Sequence, residues 1–210
     1  MQRKRLKTGV LISGSGTNLQ ALIDACAASD FPAEIVLVIS NRADAGGLER
    51  ARRAGIATRI IPHKEYLSRE AFDAAVDTAL RTAGVEFVCL AGFMRLLTPG
   101  FVNQWRDRLV NVHPSLLPAF KGINAVEQAL AAGVNWTGCT VHFVRPEMDT
   151  GPILLQIEVP VEAGDTSESL HDRIRQAEHR AYPQALRLIA AGKVTVSGET
   201  ATILDRAARD

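Results

Sequence analysis

Short, almost unbroken runs of branched aliphatic residues recur along this chain, and the early ones alternate with segments whose apolar residues repeat at helical spacing. "TGVLISG" (8–14), "AEIVLVIS" (33–40), "ATRIIP" (57–62), "EFVCLAGF" (86–93) and "RLVNVH" (108–113) read as strands. Between them lie three helical segments: "TNLQALIDACAA" (17–28), with apolar residues at 19, 22, 23 and 26, "AGGLERARRAG" (45–55) and "SREAFDAAVDTALRTAG" (68–84). Gly55 and Gly84 supply stops and Ser68 an N-cap. A strand that is apolar at every position is buried on both faces, which is the state of parallel strands joined through helices. The alternation therefore restricts the chain to the α/β class, with a doubly wound, mostly parallel sheet.

The second half changes character. "AVEQALAAG" (125–133) reads as a helix, and "TGCTVHFV" (137–144) and "GPILLQIEVPV" (151–161) as strands. Only "RPEMDT" separates those two strands, too little for a crossover helix, so they are expected to be antiparallel neighbours. A long helix over 167–192 follows, with Pro183 as a place for a kink, and then a weak strand, "KVTV", as a possible edge. The 210 residues, 47% of them hydrophobic, suffice for one core and one domain.

Charge and cysteine content exclude several classes. Lys plus Arg number 24 and Asp plus Glu 23, so no nucleic-acid or membrane partner is expected. The basic start, "MQRKRLK", lacks the apolar stretch of a signal peptide and reads as a frayed arm. Cys26, Cys89 and Cys139 are widely spaced, and read as buried free thiols of a reducing compartment, the cytoplasm. The five histidines show no ligand spacing, so no metal is expected.

Three local patterns suggest chemistry. "LISGSGTNLQALI" is a strand, a glycine-rich turn and a helix start, whose free N–H groups can hold a phosphate; as a plain turn it makes Thr17 an N-cap. Asn111 and His113 stand two apart at the end of a strand, and so on one face, where an amide and an imidazole can converge on a developing oxyanion. The stiff "PSLLP" segment follows, with X-Pro bonds that can be cis. Asp149, in "MDTGP", is either a turn residue or a carboxylate that favours the imidazolium form of His113.

In chain order, "GSGTNLQALI", "SNRADAGGLERARRAGI", "AGFMRLLTP", "NVHPSLLPAFKG", "HFVRPEMDTGPILLQ" and "QAEHRAYP" closely resemble the glycinamide ribonucleotide formyltransferases, folate-dependent enzymes of purine synthesis, from about residue 8 to about residue 192. The resemblance implies a Rossmann-like formyltransferase fold with an antiparallel extension in the C-terminal half. It implies a nucleotide-binding half over about 1–105 and a folate-binding, catalytic half over about 106–210. The implied reaction passes the formyl group of 10-formyltetrahydrofolate, a cosubstrate, to the amine of glycinamide ribonucleotide, without a metal, in a monomer or homodimer.

By the same resemblance Asn111, His113 and Asp149 are catalytic. Gly16, Thr17, Asn18 and Glu178 bind the ribonucleotide; Arg69, Met94, Arg95, Leu96, Leu97, Asn111 and Arg145 bind folate. Without it, Glu178 and Arg69 read as surface residues, Arg50, Arg52 and Arg53 as a wet helix face, and His142 and His179 as structural. Methionyl-tRNA formyltransferase, formyltetrahydrofolate deformylase and the hydrolase domain of formyltetrahydrofolate dehydrogenase share the folate half. The short stretch after the long helix and the absence of a basic excess argue against the tRNA enzyme. A first strand starting by about residue 8 argues against the deformylase.

Overall fold

The computed structural model describes residues 4–204. In order, its elements are β1 (Leu6–Ile12), α1 (Thr17–Cys26), β2 (Ala33–Ser40), α2 (Gly46–Arg53), β3 (Thr58–Ile60), α3 (Arg69–Thr82), β4 (Phe87–Leu90), α4 (Pro99–Gln104), β5 (Leu109–His113), α5 (Ala125–Ala131), β6 (Trp136–Phe143), β7 (Ile153–Pro160), α6 (Ser167–Ala190), β8 (Val194–Ser197) and β9 (Thr200–Ile203). Seven strands form one sheet in the order β3-β2-β1-β4-β5-β6-β7. The first five run parallel, and β6 and β7 are antiparallel to their neighbours.

The apolar runs are buried on both faces as expected: Val10, Leu11 and Ile12 point alternately to opposite sides, yet none is exposed. One face packs on α1 and α6 through Leu19, Leu22, Ile174, Ala181 and Tyr182. The other packs on α3 and α4 through Phe72, Val76, Leu80, Phe101 and Trp105. The Tyr182 hydroxyl reaches through the first layer to the carbonyls of Leu90 (2.9 Å) and Val110 (3.2 Å) at the ends of β4 and β5.

Strand order reverses between β1 and β4. At such a switch the loops leaving neighbouring strands diverge to opposite faces and open a crevice at the carboxyl ends. Ser13 bridges this point: its hydroxyl donates to Asn41 Oδ1 (2.6 Å) and accepts from the Met94 amide (2.8 Å).

Several sequence expectations need correction. The run at 86–93 is strand only to Leu90; Gly92, at φ +70°, turns the remainder across the crevice. Helix α4 escapes the periodicity reading, although Thr98 caps it by accepting from Phe101 N and Pro99 opens it. Helix α6 is continuous through Pro183. "KVTV" is no edge of the main sheet but half of a separate hairpin, β8–β9. From Arg5 onward the basic start is tied down, since Arg5 donates to the Cys26 carbonyl and Leu6 and Lys7 belong to β1; residues 1–3 lie outside the described residues. Among the described residues no helix is long and apolar enough to cross a membrane.

Candidate active site

At the end of β1 the chain turns through Gly14, Ser15 and Gly16 into α1. Gly16 itself is the N-cap, at φ +74°, and Thr17 is the first helical residue, so the expectation of a Thr17 cap is corrected. Only glycine fits here: a Cβ on Gly16 would lie 2.5 Å from Gly47 Cα, because the starts of α1 and α2 are pressed together. Gly47 N donates to Gly14 O (3.1 Å), and Arg50 Nε donates to Ser15 O (2.8 Å). Arg50 is thus a brace of the loop rather than part of a wet face. No side chain caps the start of α1, so its first N–H groups keep the character of an anion site.

The Asn18 amide donates to Glu178 Oε2 (2.8 Å), joining this loop to α6, while Asn18 Oδ1 is buried without a partner. Glu178 is 6% exposed, so its reading as a surface residue is corrected. Burial pushes its carboxyl up to about 7, against the opposite pull of the Asn18 donor and of Arg175. Beside Thr17, a cavity of about 410 Å³ is lined by Arg50 and His179, residues to which sequence reading assigned no site.

The second part of the site stands on β5. Asn111 and His113 share a face, as their spacing requires, and both line a cavity of about 340 Å³. His113 Nε2 lies 2.8 Å from the Phe120 carbonyl, which can only accept, so that nitrogen carries the hydrogen. The other ring nitrogen, Nδ1, faces Asp149 Oδ2 at 3.5 Å. Asp149 reaches inward from the β6–β7 loop at φ +54°, a strained setting for a residue with a side chain, and Oδ2 also accepts from Gly122 N (2.8 Å).

His142 belongs to this cluster, although sequence reading left it as structural. Register pairs it with Asn111 across β5 and β6, and its Nε2 lies 3.5 Å from Asn111 Nδ2 and 3.7 Å from Asp149 Oδ1. Burial, above all, pushes its pKa down; its bond to the Phe143 carbonyl and the charge of Asp149 oppose the shift. With Nδ1 donating to that carbonyl (3.0 Å), Nε2 is left as an acceptor that orients the Asn111 amide.

The "PSLLP" segment is held as rigidly as its prolines suggest. The Leu117–Pro118 peptide is cis. Thr140 Oγ1 donates to Ser115 O (2.7 Å) and accepts from Leu117 N (3.0 Å), and Gln156 Nε2 donates to Leu117 O (2.9 Å).

Met94, Arg95, Leu96 and Leu97 form one wall of the cavity, and the 145–149 loop forms another. Arg69 does not line it; its guanidinium donates to the carbonyls of Leu96 (2.7 Å) and Leu97 (3.4 Å) and so braces that wall from behind. Arg145 lines the cavity, with its guanidinium held by Asp107 and Glu199. The three cysteines are buried free thiols outside the site, and burial raises Cys26 to about 11 and Cys139 to about 12. Among the described residues no group of three or more His, Cys, Asp or Glu side chains is placed to hold a metal ion.

Comparison with known proteins places this geometry in a family. A family model described as formyl transferase matches residues 6–186. The chain is 45% identical over 196 residues to phosphoribosylglycinamide formyltransferase of Escherichia coli, covering 93% of this chain and 92% of that one. It is 55% identical over 203 residues to the trifunctional purine biosynthetic protein adenosine-3 of Gallus gallus, covering 97% of this chain but only 20% of that longer protein. The solved structure of glycinamide ribonucleotide transformylase 1 from Symbiobacterium toebii superposes with a TM-score of 0.94 at 52% identity, covering 96% of this chain and 95% of that one.

Proposed function

The chain belongs to the formyl transferase family, among the phosphoribosylglycinamide formyltransferases, and from that premise we propose that it passes the formyl group of 10-formyltetrahydrofolate to the primary amine of glycinamide ribonucleotide. The observation that carries this reading is the meeting of Asn111, His113 and Asp149 in the lining of a largely apolar cavity.

In this reading the phosphate sits on the amides of Gly16, Thr17 and Asn18, and Glu178 accepts from the polar groups of the ribonucleotide. The folate ring system enters between the Met94–Leu97 wall and the 145–149 loop, where exposed Met94, Leu96, Ile123 and Met148 offer apolar contact at the mouth. Arg69 acts through the wall it braces, and Arg145 through the root of the loop.

The amine attacks the formyl carbon, forming a C–N bond and turning the carbonyl oxygen into an oxyanion. His113 Nε2–H, on giving up the Phe120 carbonyl 2.8 Å away, and the Asn111 amide donate to that oxygen. Asp149 holds the ring from behind. As the intermediate collapses, the bond to the folate nitrogen breaks, and a proton from the former amine passes to that nitrogen by way of Asp149 and water. Donors placed for the oxyanion, rather than for the ground-state carbonyl, are what lower the barrier. The three buried thiols fit a reducing cytoplasm.

Offering the protein 10-formyltetrahydrofolate with three acceptors, glycinamide ribonucleotide, charged initiator tRNA and water, tests the proposal. Formylated ribonucleotide as the dominant product is expected; formate or formylated tRNA in its place rejects it.

A further inference from the structure

Arg145 is a buried cation at the root of the β6–β7 loop, its side chain 3% exposed. Nη2 donates to Asp107 Oδ1 (2.8 Å) and to the Gly198 carbonyl (3.1 Å), and Nε donates to both carboxylate oxygens of Glu199 (3.1 and 3.0 Å). One guanidinium therefore joins three segments far apart in sequence: the loop itself, the turn before β5, and the tip of the β8–β9 hairpin. Arg106 adds a second link to Glu199 at 3.2 Å.

The neck of the loop closes on the same side chain. Phe143 N donates to Pro152 O (2.9 Å), and Val144 N donates to Leu109 O (2.9 Å). A Cβ on Gly151 would meet Phe143 O at 1.8 Å and Arg145 Cγ at 3.1 Å, so the returning strand lies directly against the Arg145 stem. Beyond the neck the loop has fewer ties, among them the Asp149 carboxylate on Gly122 N and the Thr150 hydroxyl on Glu147 O (3.1 Å). The path of residues 146–149 is thus set largely at its root.

We propose that the β8–β9 hairpin, through Glu199 and Arg145, is a positioning device for the loop that carries Asp149, and that it sets the fit of the formyl-folate donor. The inference rests on the reading of the 340 Å³ cavity as the donor pocket. A planar guanidinium held by two carboxylates on different edges, Nε–H shared by both oxygens of Glu199 and Nη2 on Asp107, is fixed in orientation as well as distance. Glu199 is 58% exposed and Asp107 remains beside Arg145, so neutralising Glu199 loosens the root without leaving the guanidinium unpaired.

The test is Glu199→Gln in the whole chain. The KM for 10-formyltetrahydrofolate is expected to rise about five- to tenfold, short of the roughly hundredfold that a full 1 Å misplacement can cost, because Asp107 still holds the guanidinium. The KM for glycinamide ribonucleotide should hold, and Glu199→Asp should recover most of the loss. Hydrogen exchange of the ligand-free protein should quicken over 144–151 and stay unchanged over 13–26. That second readout needs no substrate: if the parent protein transfers no formyl group the donor reading fails, and exchange alone decides whether the hairpin holds the loop. Loop exchange equal to the parent's, an unchanged formyl-folate KM, or a rise in both KM values together overturns the proposal.

Discussion

The two ends of the crevice are built from different materials. At the end assigned to the ribonucleotide the groups offered are mostly backbone: amides at the start of α1 that no side chain caps, in a turn where Gly16 and Gly47 let the starts of two helices meet. At the transfer end they are side chains, Asn111, His113, His142 and Asp149, packed between β5, β6 and a strained loop. A phosphate needs only correctly spaced N–H donors, which any sequence with the right glycines supplies. An oxyanion that exists only in passing needs donors aimed at one point beforehand, and that takes a buried, mutually braced cluster. The first end should fail through backbone conformation, the second through loss of single functional groups.

The strongest challenge to this contrast is His113→Asn. Turnover should fall by about 10²–10³ or more, while ribonucleotide affinity measured by calorimetry stays unchanged. A comparable fall in affinity would merge the two ends into one.

Glu178→Gln probes the carboxylate between them. In the folded chain Glu178 keeps its proton up to about 7, against an ordinary value of 4.5. A raised native pKa gives stability that is full below the unfolded value and is lost as pH rises through the native one. Between roughly pH 4.5 and 7 the parent should therefore lose about 2–3 kcal/mol relative to the glutamine variant. Urea melts of both proteins on either side of that window measure the difference; parallel stabilities at all pH values would show that folding leaves this carboxyl's pKa where it is in the unfolded chain.

Gly16→Ala should weaken ribonucleotide binding by about tenfold or more, from the strain of a left-handed residue with a side chain and from its Cβ 2.5 Å from Gly47 Cα. The formyl-folate KM should hold; equal losses for both substrates would show that the loop supports the whole crevice. The mildest change is Arg69→Ala, expected to raise the formyl-folate KM by only a few-fold, because the guanidinium supports the carbonyls of Leu96 and Leu97 from outside the cavity. A loss as large as that of His113→Asn would make Arg69 a direct contact.

What could be read from the residues alone follows the same division. The parallel strands, the loop before α1 and the shared face of Asn111 and His113 depend on local spacing, which a single chain displays. The depth of Glu178 does not, since it depends on Asn18, 160 residues away. His142 is not visible from the residues because the short turn after it predicts pairing of its strand with β7 but not with β5, and the β5–β6 register sets it opposite Asn111. The ion pairs of Arg145 are hidden for a related reason: its partners Asp107 and Glu199 lie 38 residues before it and 54 after it. Helix α4 carried a capping signal in Thr98-Pro99 but is too short to display a period.

Tyr182 stands one helical turn beyond Glu178 on α6, with its hydroxyl fastened to the carbonyl of Leu90 and within reach of that of Val110, the residue before Asn111. Four residues of α-helix span about 6 Å, and a helix stretches very little. The spacing between the Glu178 carboxyl and the β5 backbone that carries Asn111 is thus gauged by a stiff strut rooted in the middle of the sheet.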